Sequence, residues 1–254
     1  MRIVVLGSGN VATHLALALN AAGEEIVQVF SLNLNHAEAL AKKIQAEAIN
    51  NISKINRLAD LYIISVKDDA INSIASELRG IEGLVVHTSG STDIKILSSE
   101  LKNAGVFYPL QTFSKSKALD FGNIPICLEA TDEKQLDILK NIAQKLSPKV
   151  YLIDSQKRRV LHLAAVFACN FTNHMYYMSK QILVNNNLDF DIIKPLITET
   201  ADKILNYSPE NVQTGPAVRN DDTTINRHLN MLADLPELQE IYTTLSNSIK
   251  LSHK

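Results

Sequence analysis

Arg2-Ile3-Val4-Val5-Leu6-Gly7-Ser8-Gly9-Asn10-Val11-Ala12 decides the fold of this 254-residue chain. The apolar run over 2–6 reads as a short buried strand. Gly7 to Gly9 read as a tight turn, and Leu15, Leu19 and Ala22 as one face of a helix that stops at Gly23. Strand, Gly-x-Gly turn and helix in immediate succession make an anion site. Gly7 permits the turn, Gly9 lets the main chain approach a pyrophosphate, and the helix N-terminus faces the anion with free N–H groups and its positive dipole end. Ala12 replaces the third glycine of the pattern, as is tolerated where helix and strand pack closely. Gly7, Ser8, Gly9, Asn10 and Val11 are therefore candidate phosphate-binding residues.

Outward from the loop, further strands are expected over 25–30, 61–66, 84–87, 106–108, 124–128 and 150–153. A helix is expected over 35–46, with helical segments between most of the other strands. This alternation predicts an α/β Rossmann-type domain over 1–154, a mainly parallel sheet with helices on both faces. After Ile153 the strands cease. Helical periodicity fills 155–186, Pro195 opens or kinks a helix, Ser208-Pro209 breaks the chain, and closing helices fit 222–232 and 236–251. An all-α C-terminal domain over 155–254 is expected.

Hydrophobic residues make up 46% and charged residues 20%, enough apolar content for packed cores and unlike a disordered chain. A net charge of -2 without a Lys/Arg run argues against a nucleic-acid or membrane surface, and no apolar run approaches a membrane span. The chain enters its first strand at once with no leader pattern, so a cytoplasmic location is expected. Cys127 and Cys169 have no metal-ligand spacing and are read as buried, reduced thiols, and no metal is expected.

Ligands of open α/β sheets lie beyond the carboxyl ends of the strands. At the end of the second strand, Phe30-Ser31-Leu32-Asn33 offers no acid of the kind that holds a free ribose 2′-OH. Ser31 and Asn33, with His36 as a helper, can instead donate to a 2′-phosphate, so NADP is favoured over NAD. The arginine that often clamps this phosphate is missing, and Ser31 and Asn33 also suit a simple turn. Ser65, Val66 and Lys67 follow the fourth strand, where Asp69 is read as a helix cap. Thr88 and Ser89, in the His87-to-Ser91 segment, read equally well as nicotinamide-side donors or as a turn capped by Thr92 or Asp93. Tyr108-Pro109-Leu110-Gln111-Thr112-Phe113 follows at the same rim.

In the helical half, His162, Asn170 and Asn173 interrupt an apolar run. At about 100° per residue they share one side of a regular helix and suggest the wall of a polar cavity. Thr214-Gly215-Pro216 leads to Arg219, Asn220 and Asp221. Arg219 can clamp a carboxylate or form an ion pair with Asp221 or Asp222, and His228 follows on the next helix.

The Gly7–Ala12 loop, Ser65-Val66-Lys67-Asp68-Asp69, Thr88-Ser89-Gly90-Ser91 and Tyr108 to Phe113 together resemble one family. So do His162-Leu163-Ala164-Ala165-Val166 with Asn170, and the run from Thr214 to Asp221. The family is that of the Rossmann-like proteins carrying the domain of unknown function 2520, a group labelled NADP oxidoreductases. The resemblance extends from Ile3 to about Leu232, and it implies a Rossmann domain followed by a helical domain that forms a homodimer. Its wider relatives are pyrroline-5-carboxylate reductase, prephenate dehydrogenase and the β-hydroxyacid dehydrogenases. The last use a lysine followed four residues later by asparagine. Asn170 matches the second, but Val166 stands at the lysine position. Tyr108-Pro109 stands where prephenate dehydrogenases have His-Pro. The expected function is hydride transfer between NADPH and a small carbonyl or imine in an interdomain cleft. His162 would act as acid/base, Tyr108 as the alternative proton donor, Asn170 as the orienting group and Arg219 as the anion clamp. The alternative is a non-catalytic NAD(P)-binding sensor or scaffold, and a further one is use of the fold for a different ligand.

Overall fold

The computed structural model describes residues 1–114, 117 and 119–253. By its contacts the chain forms two compact units, Met1–Cys169 and Asn170–Lys254.

In the first unit the strands are β1 (Arg2–Leu6), β2 (Glu25–Phe30), β3 (Glu47–Ile49), β4 (Leu61–Ile64), β5 (Leu84–His87), β6 (Ala104–Pro109), β7 (Ile126–Ala130) and β8 (Val150–Leu152). They form one sheet in the order β3-β2-β1-β4-β5-β6-β7-β8, parallel except for the antiparallel pair β6·β7. The first six strands follow the doubly wound order, whose direction reverses between β1 and β4. Helices α1 (Asn10–Ala21), α2 (Leu34–Ile44), α3 (Ile71–Glu77), α4 (Lys95–Ser98) and α5 (Glu133–Leu146) cover the sheet, and α6 (Ser155–Ala165) completes the unit.

Both faces of the sheet are buried, which is why its central strands are apolar at nearly every position. Ile3, Val5, Leu61 and Ile63 pack with Leu15, Leu19, Leu40, Ile44 and Leu139 on the side of α1, α2 and α5. The alternate residues Val4, Leu6, Tyr62 and Ile64 pack with Ile71, Ile74, Leu78 and Leu97 under α3 and α4. α1 and α3 thus leave neighbouring strands towards opposite faces, and a crevice opens between the ends of β1 and β4.

The second unit contains α7 (Thr172–Asn185), α8 (Lys194–Asn206), α9 (Pro209–Val212), α10 (Asp222–Met231) and α11 (Pro236–Ser252). Pro195, Pro209 and Pro236 each lie in the first turn of a helix, where the missing N–H costs nothing. Leu188, Ile192, Leu196, Leu205, Tyr207 and Leu251 are exposed on this unit.

Several expectations are corrected. β3 is a three-residue strand, too short to leave a periodicity in the sequence. Cys169 is exposed, and only Cys127 is buried. Asp69 does not cap α3: that helix follows Ala70 without a side-chain cap. The stretch Val166–Phe171 is π-helical. Its wider turn departs from the regular 100° per residue on which the alignment of His162, Asn170 and Asn173 rests.

His87, at the end of β5, is fully buried. Burial, reinforced by the Arg158 cation, pushes its pKa down to about 4. The folded protein therefore keeps it neutral where the unfolded chain, near 6.5, takes up a proton. Since the unfolded state binds more protons in that interval, this contribution is complete above the unfolded pKa and is lost as pH falls towards the folded one. Between about pH 7 and about pH 5 it amounts to about 2 kcal/mol. Unfolding free energies from urea titrations at the two pH values are expected to differ by about 2 kcal/mol more in the native protein than in His87→Leu.

Gly7 has φ +131, and a Cβ there would lie 2.0 Å from the Ser65 carbonyl oxygen. Gly7→Ala must strain the backbone and separate the ends of β1 and β4, so it is expected to lower the melting temperature.

Candidate functional site

The ends of β1, β2, β4 and β5 are tied to one another by main-chain hydrogen bonds. Gly7 N–H donates to the Phe30 carbonyl (2.8 Å), Ser65 N–H to the Leu6 carbonyl (2.8 Å) and Thr88 N–H to the Ile64 carbonyl (3.1 Å). The four segments that follow these strands thereby leave the sheet side by side and enclose a cavity of about 1060 Å³. Gly7 to Val11, Ser31, Ser65 to Lys67, Thr88, Ser89, Tyr108 and His162 all line it.

At one end lies the N-terminus of α1. Gly9 precedes the helix without a side-chain cap, and no acid stands in the first turn. The opening N–H groups are therefore available to an anion. A Cβ built on Gly9 would meet no atom within 4 Å, so this cradle is open. These features fit the pyrophosphate of a dinucleotide. Ser8 Oγ donates to Ser31 Oγ (3.0 Å), linking the phosphate loop to the end of β2. The Asn10 side chain donates to the Phe113 carbonyl (2.9 Å), which secures the segment after β6 against α1.

Asn33 is placed differently from the other candidates. Its side chain accepts from Asn35 N–H (3.1 Å) as the N-cap of α2, and it does not line the cavity. No acid occupies the first turn of α2, so this helix end too is free of negative charge.

At the other end, Thr88 Oγ1 donates to Ser65 Oγ (3.1 Å), and Ser89 N–H donates to His87 Nδ1 (3.2 Å). Ser89 Oγ accepts from the N–H groups of Ser91 and Thr92, and Asp68 accepts from Ser91 Oγ. Asp68 thus braces the neighbouring loop. Asp93 accepts from Lys95 N–H (3.0 Å) at the entrance to α4.

Tyr108 and His162 meet here. The Tyr108 hydroxyl lies 3.0 Å from His162 Nδ1, and the rings stand edge to face. Burial pushes the Tyr108 pKa up to about 12. The group therefore stays a phenol, an acid or hydrogen-bond donor rather than a base. Gly90 lies against both rings: a Cβ there would come within 2.7 Å of His162 Nδ1 and 2.8 Å of Tyr108 Cζ. Any side chain at position 90 would push the pair apart or the loop away.

Arg158 and Glu129 did not stand out in the sequence. Arg158 is fully buried, pairs with Glu129 on β7, and also bonds the Thr92 carbonyl and Ser155 Oγ. The one available signal was its position four residues before His162, on the same face of α6.

The remaining candidates belong to the second unit. Asn170 and Arg219 are both exposed. Arg219 has no ion pair among the described residues. Asp221 accepts from Thr224 as the cap of α10, and Asp222 pairs with Lys250. His228 Nδ1 lies 2.8 Å from the Tyr242 hydroxyl. Among the described residues no cluster of side chains could hold a metal ion, and no helix is long and apolar enough to cross a membrane.

Residues 2–88 match the family described as "NADP oxidoreductase coenzyme F420-dependent", and residues 124–249 match "Domain of unknown function (DUF2520)". No curated protein matches the chain. Among solved structures, one described as "putative NADP oxidoreductase BF3122 from Bacteroides fragilis" is 46% identical, with TM-score 0.94 over 98% of this chain and 97% of that one. Protein TM1727 from Thermotoga maritima is 26% identical, with TM-score 0.74 over 99% and 98%. An imine reductase from Myxococcus stipitatus, solved with NADP+, is 13% identical, with TM-score 0.67 over 98% and 92%, a likeness of fold alone. With its dinucleotide loop, its open helix end and these matches over both parts, the chain belongs to the DUF2520-containing NADP oxidoreductase family.

Proposed function

We propose that this protein is an NADP-dependent oxidoreductase acting on a small carbonyl or imine, with His162 as its proton donor. One observation carries the reading: a single cavity holds both an uncapped helix end suited to a pyrophosphate and a histidine–phenol couple. A nicotinamide cofactor bound there supplies the hydride.

The chain's own residues divide the remaining work. The N–H groups at the start of α1, with Gly7, Ser8 and Gly9, bind the pyrophosphate. Ser31 serves the ribose end, and the absence of an acid from Phe30 to Asn33 and from the first turn of α2 favours a 2′-phosphate there. The helix-capping role of Asn33 occupies its side-chain oxygen and leaves its amide N–H₂ as the group with which it can donate. Ser65, Val66 and Lys67 form the wall on the β4 side, and Thr88 and Ser89 form it on the β5 side. Lys67 is the cation of this lining.

His162 delivers a proton to the oxygen or nitrogen that becomes hydroxyl or amine. Tyr108, kept neutral by burial, holds Nδ1 and so directs the other ring nitrogen to the reaction. Asn170 is assigned to substrate orientation on the family resemblance. Arg219 is assigned to an anionic substrate group, supported by its exposure and its lack of an ion pair among the described residues. The same reading makes the protein a cytoplasmic homodimer joined through its helical part, which the exposed Leu188, Ile192, Leu196 and Leu205 support.

A non-catalytic NAD(P)-binding sensor is the second reading. Val166, apolar at the position where the β-hydroxyacid dehydrogenases carry lysine, favours it.

Fluorescence titration is expected to show saturable binding of NADPH, tighter than of NADH. No saturable binding of either overturns both readings. Gly9→Val places a side chain in the open cradle at an ordinary negative φ, so it should abolish NADPH binding and leave the melting curve unchanged. Oxidation of NADPH with a panel of keto acids and cyclic imines separates reductase from sensor, and silence across the panel favours the sensor. With an accepted substrate, His162→Ala should lower turnover about 100-fold while NADPH affinity stays within about twofold. Equal losses of turnover and affinity would make His162 structural.

A further inference from the structure

Arg158 is the one fully buried cation among the described residues. A guanidinium is costly to remove from water, and the arrangement around it is specific enough to ask what it holds. Its Nη1 donates to Glu129 on β7, and its Nη2 donates to the Thr92 carbonyl and to Ser155 Oγ (3.0 Å). Ser155 Oγ in turn donates to Glu129 (2.7 Å) and accepts from Ile94 N–H (2.9 Å). Three segments therefore converge on one ion pair: strand β7, the loop that carries Thr88 to Thr92, and the first turn of α6.

The loop and the helix are the two pieces that frame the Tyr108–His162 couple. His162 lies four residues beyond Arg158, about 40° around α6 and one turn along it. Gly90 lies two residues before the anchored Thr92 carbonyl, and a Cβ at that position would collide with both rings. Tyr108 on β6 pairs directly with Cys127, and Glu129 lies two residues further along β7. Rotation of α6 or a shift of the loop would break the 3.0 Å contact, and the Arg158–Glu129 pair opposes both movements.

We infer that Arg158 is a positioning residue, which together with Glu129 fixes the angular setting of α6 and the Ser89–Thr92 loop so that Tyr108 engages His162 Nδ1. Calling that couple catalytic rests on the proposed oxidoreductase function; the positioning itself does not.

The test uses the full-length protein labelled with 15N-histidine, with the His162 ring signals assigned through Tyr108→Phe. In the native protein above neutral pH, the imidazole nitrogens should show a single tautomer, with Nδ1 as acceptor. Arg158→Lys keeps a positive charge but cannot reach Glu129, Ser155 and the Thr92 carbonyl together. It should move His162 to the averaged pattern of a free imidazole, while NADPH affinity stays within about twofold. Glu129→Gln, nearly isosteric, should shift the pattern in the same direction, and it decides the matter if Arg158→Lys does not fold. If the variants that fold by circular dichroism melt earlier yet keep the native His162 pattern, Arg158 serves stability alone and the inference is overturned. Failure of the native protein to bind NADPH would overturn the proposed function and leave the tautomer result standing. With an accepted substrate, kcat of Arg158→Lys should fall about 10- to 100-fold with little change in KM.

Discussion

The first unit depends on a contact that only glycine allows, between Gly7 and the carbonyl of Ser65. It keeps the ends of β1 and β4 adjacent while the chain after each departs to an opposite face of the sheet. The crevice follows from that divergence, and so do the exposed start of α1 and the parallel exits of the loops after β2, β4 and β5. A side chain at position 7 would alter all of these, because they share one row of main-chain hydrogen bonds at the top of the sheet.

The parts of the fold governed by local rules were legible in the sequence. The apolar strands show because both faces of the sheet are covered, and the phosphate loop shows because glycine, small residue and helix start lie within six positions. What escaped depends on partners distant in the chain. The burial of Arg158 is explained by Glu129, Thr92 and Ser155, which no periodicity connects to it. Asp69 reads as the cap of the next helix, yet α3 starts without a side-chain cap, and its neighbour Asp68 is engaged by Ser91 from another loop. The π-helical stretch was hidden because the extra width of its turn leaves no mark in composition. Asn33 was correctly seen as polar and near the end of β2, but its competing role as a cap is decided by where α2 begins.

Two histidines in the first unit illustrate how position divides one chemistry. His87, within the sheet, is held neutral by burial and an adjacent cation, and its Nδ1 organises the loop that begins at Ser89. His162, on α6, lines the cavity and has a phenol as partner. The sequence places His87 at the end of a strand, beside Thr88 and Ser89, where it has the more conspicuous setting for catalysis. Burial assigns it to architecture, and it leaves His162 as the histidine in the cavity.

The Tyr108 hydroxyl has one further consequence. An O–H can swing about its C–O bond, so the same oxygen donates to a bare Nδ1 and accepts from a protonated one. Whichever charge the imidazole carries, its partner can stay in place and only a hydrogen atom turns. A change of protonation in this pair therefore requires almost no reorganisation of heavy atoms, a property that a fixed donor such as a main-chain N–H or a lysine could not provide.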